Sequence, residues 1–250
     1  MKTHAPPHSA PLKTATPGTE AARTLAIDIG GTGLKMAVLG PQGKVAVERI
    51  RVETPHPATP RAVLAVLWGM MDAMGSFERV SVGFPGVVID GVIQTAPNLH
   101  PKWEGFPLSK VLSESVRRPV RVLNDAGVQG YGVVEGKGVE LLITLGTGMG
   151  CALFMDGVYV PNLELAHHPF RNGKSYEDYV GGKAFETLPR KQWNRRVSRV
   201  VEQILPVFNP RYLYIGGGNA KHVDVKLPEH VKLVANVAGL LGGIALWRHP

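Results

Sequence analysis

One arrangement occurs twice in the sequence: a short apolar strand, a glycine-rich turn and a second apolar strand. In the first copy the predicted strands are residues 25–29 and 34–39, and in the second copy they are residues 141–145 and 151–155. A glycine turn between two short apolar runs is typical of an antiparallel hairpin. Helical patterns follow both hairpins, so the repeat predicts an α/β fold with one duplicated unit facing itself across a cleft.

The two copies divide the chain into two predicted lobes, residues 24–125 and residues 126–236. A last helix within residues 237–250 is predicted to pack back on the first lobe. Residues 1–23 contain four prolines and almost no large apolar side chain, so they cannot bury enough surface to offset the entropy of ordering. They are predicted to be a disordered tail, or a tail whose two lysines bind an acidic partner. The tail leaves no room for a DNA-binding pair of helices.

Composition excludes several classes of protein. No uninterrupted apolar run approaches the roughly 20 residues of a membrane-spanning helix, and no apolar stretch near the start resembles a secretory signal. We therefore expect a cytoplasmic protein without a membrane partner. Cys151 is the single cysteine, which excludes an intrachain disulfide and a thiolate-rich zinc site. The formal net charge of +8 favours an anionic partner without identifying it.

Apolar residues recur at helical spacing in several further segments. The predicted helices are residues 61–74, 108–116, 176–188, 192–208 and 234–247. The remaining predicted strands are residues 44–52, 80–83, 120–123, 158–160 and 211–215, with a hairpin over residues 88–93.

The glycine turns at the ends of strands are candidate phosphate sites. The first turn, residues 30–33, does not fit a P-loop, and the second turn, residues 146–150, is not a dinucleotide fingerprint because a strand rather than a helix follows it. Two interpretations of these turns remain. They are ordinary turns, or their backbone amides bind phosphate from two sides. Asp28, just before the first turn, is a candidate ligand of Mg²⁺, directly or through water. The predicted phosphate-binding residues are Gly30, Gly31, Thr32, Lys35, Gly146, Thr147 and Gly148; Lys35 is also open as a surface lysine.

Asp125 follows a predicted strand at its C-terminal end, where open α/β sheets bind ligands. Phosphoryl transfer needs positioning, charge stabilisation and a carboxylate that accepts the proton of the acceptor hydroxyl. Asp125 fits that base, and the alternative is an aspartate that caps the following helix. Sugar hydroxyls need side chains that offer paired hydrogen-bond donors and acceptors. His167 is one candidate, and the alternative for it is a buried structural histidine. The candidate sugar-binding residues are Asn98, Asn124, Asp125, Glu164 and His167.

These residues resemble the motifs of the sugar-kinase, hexokinase and actin superfamily. Residues 28–32 with Lys35 resemble its first phosphate motif, and residues 145–150 resemble its second. Residues 123–126 and 164–167 are similar to the catalytic and sugar-binding segments of the ROK kinases. The resemblance implies a duplicated ribonuclease H-like (actin/hexokinase-type), two-lobed fold with a central cleft. It also implies an adenosine-side motif formed by Gly216, Gly217 and Gly218.

Within the ROK family the sequence resembles the bacterial polyphosphate glucokinases. The likeness lies in residues 95–98, Trp103 and residues 161–164. Many ROK proteins carry a cysteine-rich zinc site after the sugar motif, which this branch lacks, and a single cysteine agrees with no structural zinc. Ala166 stands where the family usually has glycine, a change that bears on the sugar preference.

A basic stripe lies on the predicted helix 192–208 and just before it. Lys191, Arg195 and Arg199 follow one another at a spacing of four residues, so they share one helix face. Such a face is usually only solvated. The alternative is a track for polyphosphate, whose charges would pair with arginine and lysine.

The resemblance implies a Mg²⁺-dependent sugar kinase, usually a homodimer in this family. It would transfer a phosphoryl group from polyphosphate, ATP or both to glucose at the 6-hydroxyl, with Asp125 as the general base. Two alternatives stay open: a non-catalytic ROK-type sugar-binding regulator, and an ATP-only kinase for another hexose.

Overall fold

The computed structural model describes residues 22–235 and residues 238–248. Most of the predicted tail, residues 1–21, therefore lies outside the described residues, as do residues 236, 237, 249 and 250. Within the described ranges, no helix combines the length and apolar content needed to cross a bilayer.

The first sheet contains five strands in the order β3-β2-β1-β4-β7. The strands β1, β2 and β3 form an antiparallel meander, whereas β4 and β7 run parallel to β1. A short hairpin, β5 and β6, follows β4. The bounds are β1 (Thr24–Ile29), β2 (Gly33–Leu39), β3 (Val45–Glu53), β4 (Arg79–Phe84), β5 (Val88–Ile89), β6 (Val92–Ile93) and β7 (Val120–Asn124).

The second sheet repeats this plan with the order β10-β9-β8-β13-β14. Its first three strands are antiparallel, and β13 and β14 run parallel to β8. The bounds are β8 (Val139–Leu145), β9 (Met149–Met155), β10 (Val158–Val160), β13 (Tyr212–Gly216) and β14 (Val231–Leu233), with a separate hairpin of β11 (Pro169–Arg171) and β12 (Lys174–Ser175). Two sheets of identical strand order confirm the predicted duplicated α/β fold.

Helices cover the sheets and complete a separate apolar core for each. The first helix begins where the sequence favours it: Thr59 caps it by accepting from the Ala62 N–H, and Pro60 is at its first turn. The bounds are α1 (Pro60–Met71), α2 (Leu108–Val116), α3 (Asp125–Tyr131), α4 (Tyr176–Val180), α5 (Gly182–Thr187), α6 (Arg190–Phe208) and α7 (Ala238–Ala245).

The helix predicted over residues 176–188 is wrong as one element, because the chain breaks at Gly181. Gly181 is extended, with ψ −175°, and a Cβ there would lie 2.7 Å from the carbonyl oxygen of Glu177. A Cβ on Gly182 would lie 2.8 Å from the carbonyl oxygen of Thr147. The break thus lets the start of α5 pack directly against the second glycine turn.

The helix predicted over residues 234–247 starts too early. The Val234 N–H donates to the Ile215 carbonyl and so continues the pairing of β14 with β13. The observed helix α7 begins at Ala238. It packs on the first sheet, where Ser81 on β4 donates to the Gly243 carbonyl and accepts from the Trp247 indole.

Candidate active site

A cleft of about 1100 Å³ is lined by residues of both sheets. Both glycine turns, the start of α3 and the segment around Glu164 contribute to its walls. Because the two sheets have the same strand order, the equivalent β1–β2 and β8–β9 turns face one another across this cleft. The topology therefore brings together residues that are more than 100 positions apart in the sequence.

The first glycine turn is closed by its own backbone. The Gly30 N–H donates to the Gly33 carbonyl at 3.1 Å, and the Thr54 hydroxyl donates to the Gly30 carbonyl at 2.6 Å. A Cβ on Gly30 would lie 2.8 Å from the Gly33 carbonyl oxygen, so the turn requires glycine there. The Arg51 guanidinium covers Gly33 and donates to the Thr32 carbonyl at 3.4 Å. The turn thus presents bare backbone beside a cation.

The second glycine turn has an acidic neighbour that sequence reasoning missed. Glu177 on α4 accepts a hydrogen bond from the Met149 N–H at 3.0 Å. Its carboxylate fills the space that a side chain at Gly148 would need, so any larger residue there would displace Glu177. Within the turn, the Gly146 N–H donates to the Gly148 carbonyl at 2.9 Å. Thr147 lies on the cleft wall between them.

Asp28 and Lys35 form an ion pair on the cleft side of the first hairpin. The residues are register partners on β1 and β2, and Nζ lies 2.7 Å from Oδ2. Lys35 is therefore a partner of Asp28 as well as a cleft-lining cation. In the described part of the chain, no group of three or more histidine, cysteine or acidic side chains could hold a metal ion.

Asp125 is the first residue of α3, at the floor of the cleft. Its carboxylate accepts from the Ala126 N–H at 2.7 Å. Burial raises the pKa of Asp125 to about 7, with a further contribution from the charge of Asp28, while the Ala126 hydrogen bond opposes the rise. The group is thus poised to exchange a proton near neutral pH.

Asn124, rather than Asp125, is the residue that caps α3. Its side-chain oxygen accepts from the N–H groups of Ala126 and Gly127 at 3.0 and 3.3 Å. Its amide nitrogen donates to the Gly86 carbonyl at 3.2 Å. The capping alternative considered for Asp125 therefore belongs to its neighbour, and the amide of Asn124 already has backbone partners.

Glu164 and His167 lie together on the wall of the second lobe. Their side chains approach to 3.5 Å at either end of a short 3₁₀ turn, Leu165–His167. His167 is exposed, which contradicts the alternative of a buried structural histidine. Burial raises the pKa of Glu164, and the nearby His167 opposes that rise. Ala166 between them is buried, with 4% of its surface exposed.

Asn98 reaches the same cleft from the first lobe. Asn98 is exposed, and its backbone lies close to Gly31. A Cβ on Gly31 would be 3.1 Å from the Asn98 carbonyl oxygen. Trp103, in contrast, is fully buried in the first core, and its indole donates to the Ala58 carbonyl at 2.9 Å. Trp103 is thus a core residue and not part of the cleft wall.

The third glycine segment touches the second turn from behind. Gly217 has φ +87° and lies against Leu145, and the Asn219 amide donates to the Gly146 carbonyl at 3.2 Å. Gly217, Gly218 and Asn219 line the cleft, whereas Gly216 is buried behind it beside Gln129. The Gln129 amide nitrogen is buried and has no hydrogen-bond partner among the described residues.

The basic stripe on α6 lies outside the cleft. None of Lys191, Arg195 and Arg199 is among the residues that line it. All three side chains are exposed, and the Arg199 guanidinium donates to the Tyr179 hydroxyl at 3.1 Å. This placement favours the solvated face over the polyphosphate track. The cations that line the cleft, apart from Lys35, were missed from the sequence: Arg49, Arg51 and Lys183.

Comparison with known proteins agrees with this geometry. The profile of the ROK family matches residues 24–161. The chain is 31% identical to a polyphosphate glucokinase of Mycobacterium tuberculosis (strain H37Rv), over 93% of this chain and 94% of that protein.

Two solved structures share the whole fold. The inorganic polyphosphate/ATP-glucomannokinase of Arthrobacter sp. strain KM superposes with a TM-score of 0.82 and 32% identity, covering 91% of this chain and 98% of that one. A ROK family glucokinase from Streptomyces griseus, solved with glucose and AMPPNP, has a TM-score of 0.77 over 91% of this chain and 100% of that one. At 20% identity, this second likeness shows the fold alone.

Proposed function

Because the chain belongs to the ROK family and is a sugar kinase, a phosphotransferase with an alcohol acceptor, we propose that it phosphorylates glucose at the 6-hydroxyl. The phosphoryl donor is polyphosphate, ATP or both. The relatives at about 30% identity over most of the chain are named as kinases, which argues against the alternative of a non-catalytic sugar-binding regulator.

The observation that carries the proposal is that Asp125 and the two glycine turns line one cleft. In the reaction the sugar oxygen O6 attacks the terminal phosphorus of the donor, and the bond from that phosphorus to the bridging oxygen breaks. The O6 proton passes to the Asp125 carboxylate, and the shortened donor leaves with the bridging oxygen. A base with a pKa of about 7 suits a proton transfer at neutral pH.

The turns supply the electrostatic part of catalysis. Backbone N–H groups at Gly31, Thr32, Thr147 and Gly148 can donate to phosphate oxygens, and hydroxyls at Thr32 and Thr147 add further donors. Such donors need no reorganisation during the reaction because the turns are already held by their own hydrogen bonds.

Mg²⁺ fits the donor set of the cleft. Kinases hold this ion with one or two carboxylates, substrate phosphates and water, so the Asp28 carboxylate suffices as the protein ligand. When bound, Mg²⁺ would neutralise charge on the phosphates of the donor. We propose no structural zinc.

For the sugar, the proposed contacts are Glu164 and His167 from the second lobe and Asn98 from the first. Asn124 supports the site by fixing the start of α3, and hence Asp125, through its cap. The Arthrobacter relative acts on glucose and mannose by its name, so mannose is the second acceptor that we propose to test.

Both donors have support. Relatives named for polyphosphate favour the polymer, and so does the net charge of +8. The wall formed by Gly217, Gly218 and Asn219 is the proposed site of a nucleoside, and a Cβ on Gly218 would have no heavy atom of the described residues within 4 Å.

We extend the proposal to a cytoplasmic homodimer. The single cysteine, Cys151, is buried and free, which agrees with a reducing compartment. Sedimentation of the purified protein tests the dimer directly, and a monomer at assay concentration contradicts it.

The deciding experiment is an activity matrix of donors against sugars on the purified full-length chain. We expect glucose 6-phosphate from polyphosphate, ATP or both, only when Mg²⁺ is present. The Asp125→Asn variant is the matched blank. Product formation from neither donor would contradict the proposal, and so would a product phosphorylated elsewhere than O6.

A further inference from the structure

The edge strand β3 carries a row of cations that leads out of the cleft. Arg51 is the register partner of Lys35, so both side chains project from the same face of the sheet. Arg49 lies two residues before Arg51, which places it about 7 Å farther along the same face. All three residues line the cleft, and Arg49 and Arg51 are exposed. The row therefore begins at the first glycine turn and ends at the rim.

A bulge in β3 shapes this row. Between the pairs Val38–Val47 and Met36–Ile50, strand β2 has the single residue Ala37, whereas β3 has two, Glu48 and Arg49. Such a bulge bends the strand and redirects a side chain. Both residues of the bulge line the cleft.

The two arginines have no carboxylate partner in the described part of the chain. No acidic oxygen lies within 4.0 Å of either guanidinium, and Arg51 donates only to the Thr32 carbonyl. Glu48 is the one acidic residue of β3 on the cleft wall, and it forms no ion pair there. The row thus keeps two arginines that form no ion pair among the described residues, beside the turn that is proposed to bind phosphate.

We propose that β3 is the exit path of a polyanionic donor, with Arg51 binding the phosphates next to the transferred group and Arg49 binding those beyond it. The inference rests on the proposed function, since it assigns the outer part of the polyphosphate site. A nucleoside would instead lie against Gly217 and Asn219 of the second lobe. Polyphosphate and ATP would therefore place the transferred phosphoryl group at the same position. The rest of each donor would leave the cleft on a different side.

The test compares Arg49→Gln with Arg195→Gln, which removes the same charge from the exposed face of α6. The KM for long-chain polyphosphate should rise about fivefold in Arg49→Gln, and its ratio to the KM for tripolyphosphate should rise with it. The slope of log KM against log salt should fall by about 0.7, the value for one lost phosphate contact. Arg51→Gln should raise the KM for both chain lengths.

Arg195→Gln should leave both KM values and the salt slope unchanged. Equal effects of Arg49→Gln and Arg195→Gln would overturn the inference, and a larger effect of Arg195→Gln would move the donor to the α6 face. If the unaltered enzyme uses ATP but no polyphosphate of any length, the proposed function holds with ATP as its donor. Equilibrium binding of long-chain polyphosphate then decides the inference separately. Weaker binding to Arg49→Gln supports it, and equal or absent binding overturns it.

Discussion

The Lys35 ammonium donates a hydrogen bond of 2.7 Å to the Asp28 carboxylate across the first hairpin. This pair lines the same cleft as Asp125, and its two charges act on Asp125 in opposite directions. The Asp28 carboxylate raises the pKa of Asp125, whereas the Lys35 ammonium lowers it. The proton affinity of the proposed base is therefore set by burial first and by the charge of Asp28 second, and the Lys35 ammonium makes a smaller contribution.

The rate should depend on pH through Asp125. A general base must be ionised, so kcat/KM should rise with pH and level off above the pKa of about 7. The measurement is kcat/KM for glucose from pH 5 to 9 at saturating donor and Mg²⁺. An acidic limb near the ordinary aspartate value of about 4 would contradict the role.

Substitutions in the Asp28–Lys35 pair should move this limb in opposite directions. Lys35→Met removes a charge that lowers the pKa of Asp125, so the limb should move to higher pH. Asp28→Asn removes a charge that raises that pKa, so its limb should move to lower pH, and its requirement for Mg²⁺ should rise because Asp28 is also the proposed ligand of that ion. Lys44→Met, an exposed lysine on the turn before β3, is the control and should leave the limb in place. Shifts of the same sign in both variants would contradict the argument.

Asp125→Asn should reduce kcat by about 10²- to 10⁴-fold while the KM for glucose changes little. The amide keeps the size of the side chain but cannot accept the O6 proton. The measurement is steady-state kinetics, with Asp90→Asn as the control for an effect of any Asp-to-Asn change on the protein. Asp90 is exposed on the β5–β6 turn and has φ +50°, which asparagine tolerates. Near-normal turnover in Asp125→Asn would exclude the residue as the base.

Glu164→Gln should act on sugar binding more than on turnover. A charged acceptor for sugar hydroxyls becomes neutral, so the KM for glucose should rise about tenfold or more, with a smaller change in kcat. Glu114→Gln on the exposed side of α2 provides the control. If kcat falls while the KM stays constant, Glu164 belongs to the chemical step instead.

Contiguous motifs made part of this site predictable from the sequence. The turn at Gly30 and the strand end at Asp125 each carry their chemistry within a few neighbouring residues, so a local pattern locates them. The helix α2 was predicted at its observed bounds because its apolar spacing is uninterrupted.

Contacts between distant segments were not predictable in the same way. Glu177 reaches the second turn from 28 residues away, and Arg51 reaches the first from 19 residues away. Neither has a local signal that distinguishes it from a surface charge. The break at Gly181 depends on the packing of α5 against Thr147, which helical periodicity does not encode.

We expect the stability of the second lobe to depend on one buried carboxylate. Glu140 on β8 is fully buried and accepts hydrogen bonds from the N–H groups of Glu135, Gly136 and Lys137 at 2.8, 2.7 and 3.1 Å. The Tyr214 hydroxyl on β13 donates to the same carboxylate at 2.8 Å. A buried carboxylate is tolerated when several donors satisfy it, and here the loop after α3 supplies three of them.

Glu140→Gln should therefore lower the free energy of unfolding by about 2 to 4 kcal/mol, because the new NH₂ group faces donors and leaves them unsatisfied. Tyr214→Phe removes one donor and should cost only about 1 kcal/mol. Urea unfolding followed by circular dichroism measures the free energy of unfolding of both variants. Glu135→Gln serves as the surface control, since Glu135 is exposed and lies within ion-pair distance of Lys232. Since all three positions lie away from the cleft, the KM for glucose should stay constant in the folded variants. A Glu140→Gln variant as stable as the parent would mean that water satisfies the loop donors in place of the carboxylate.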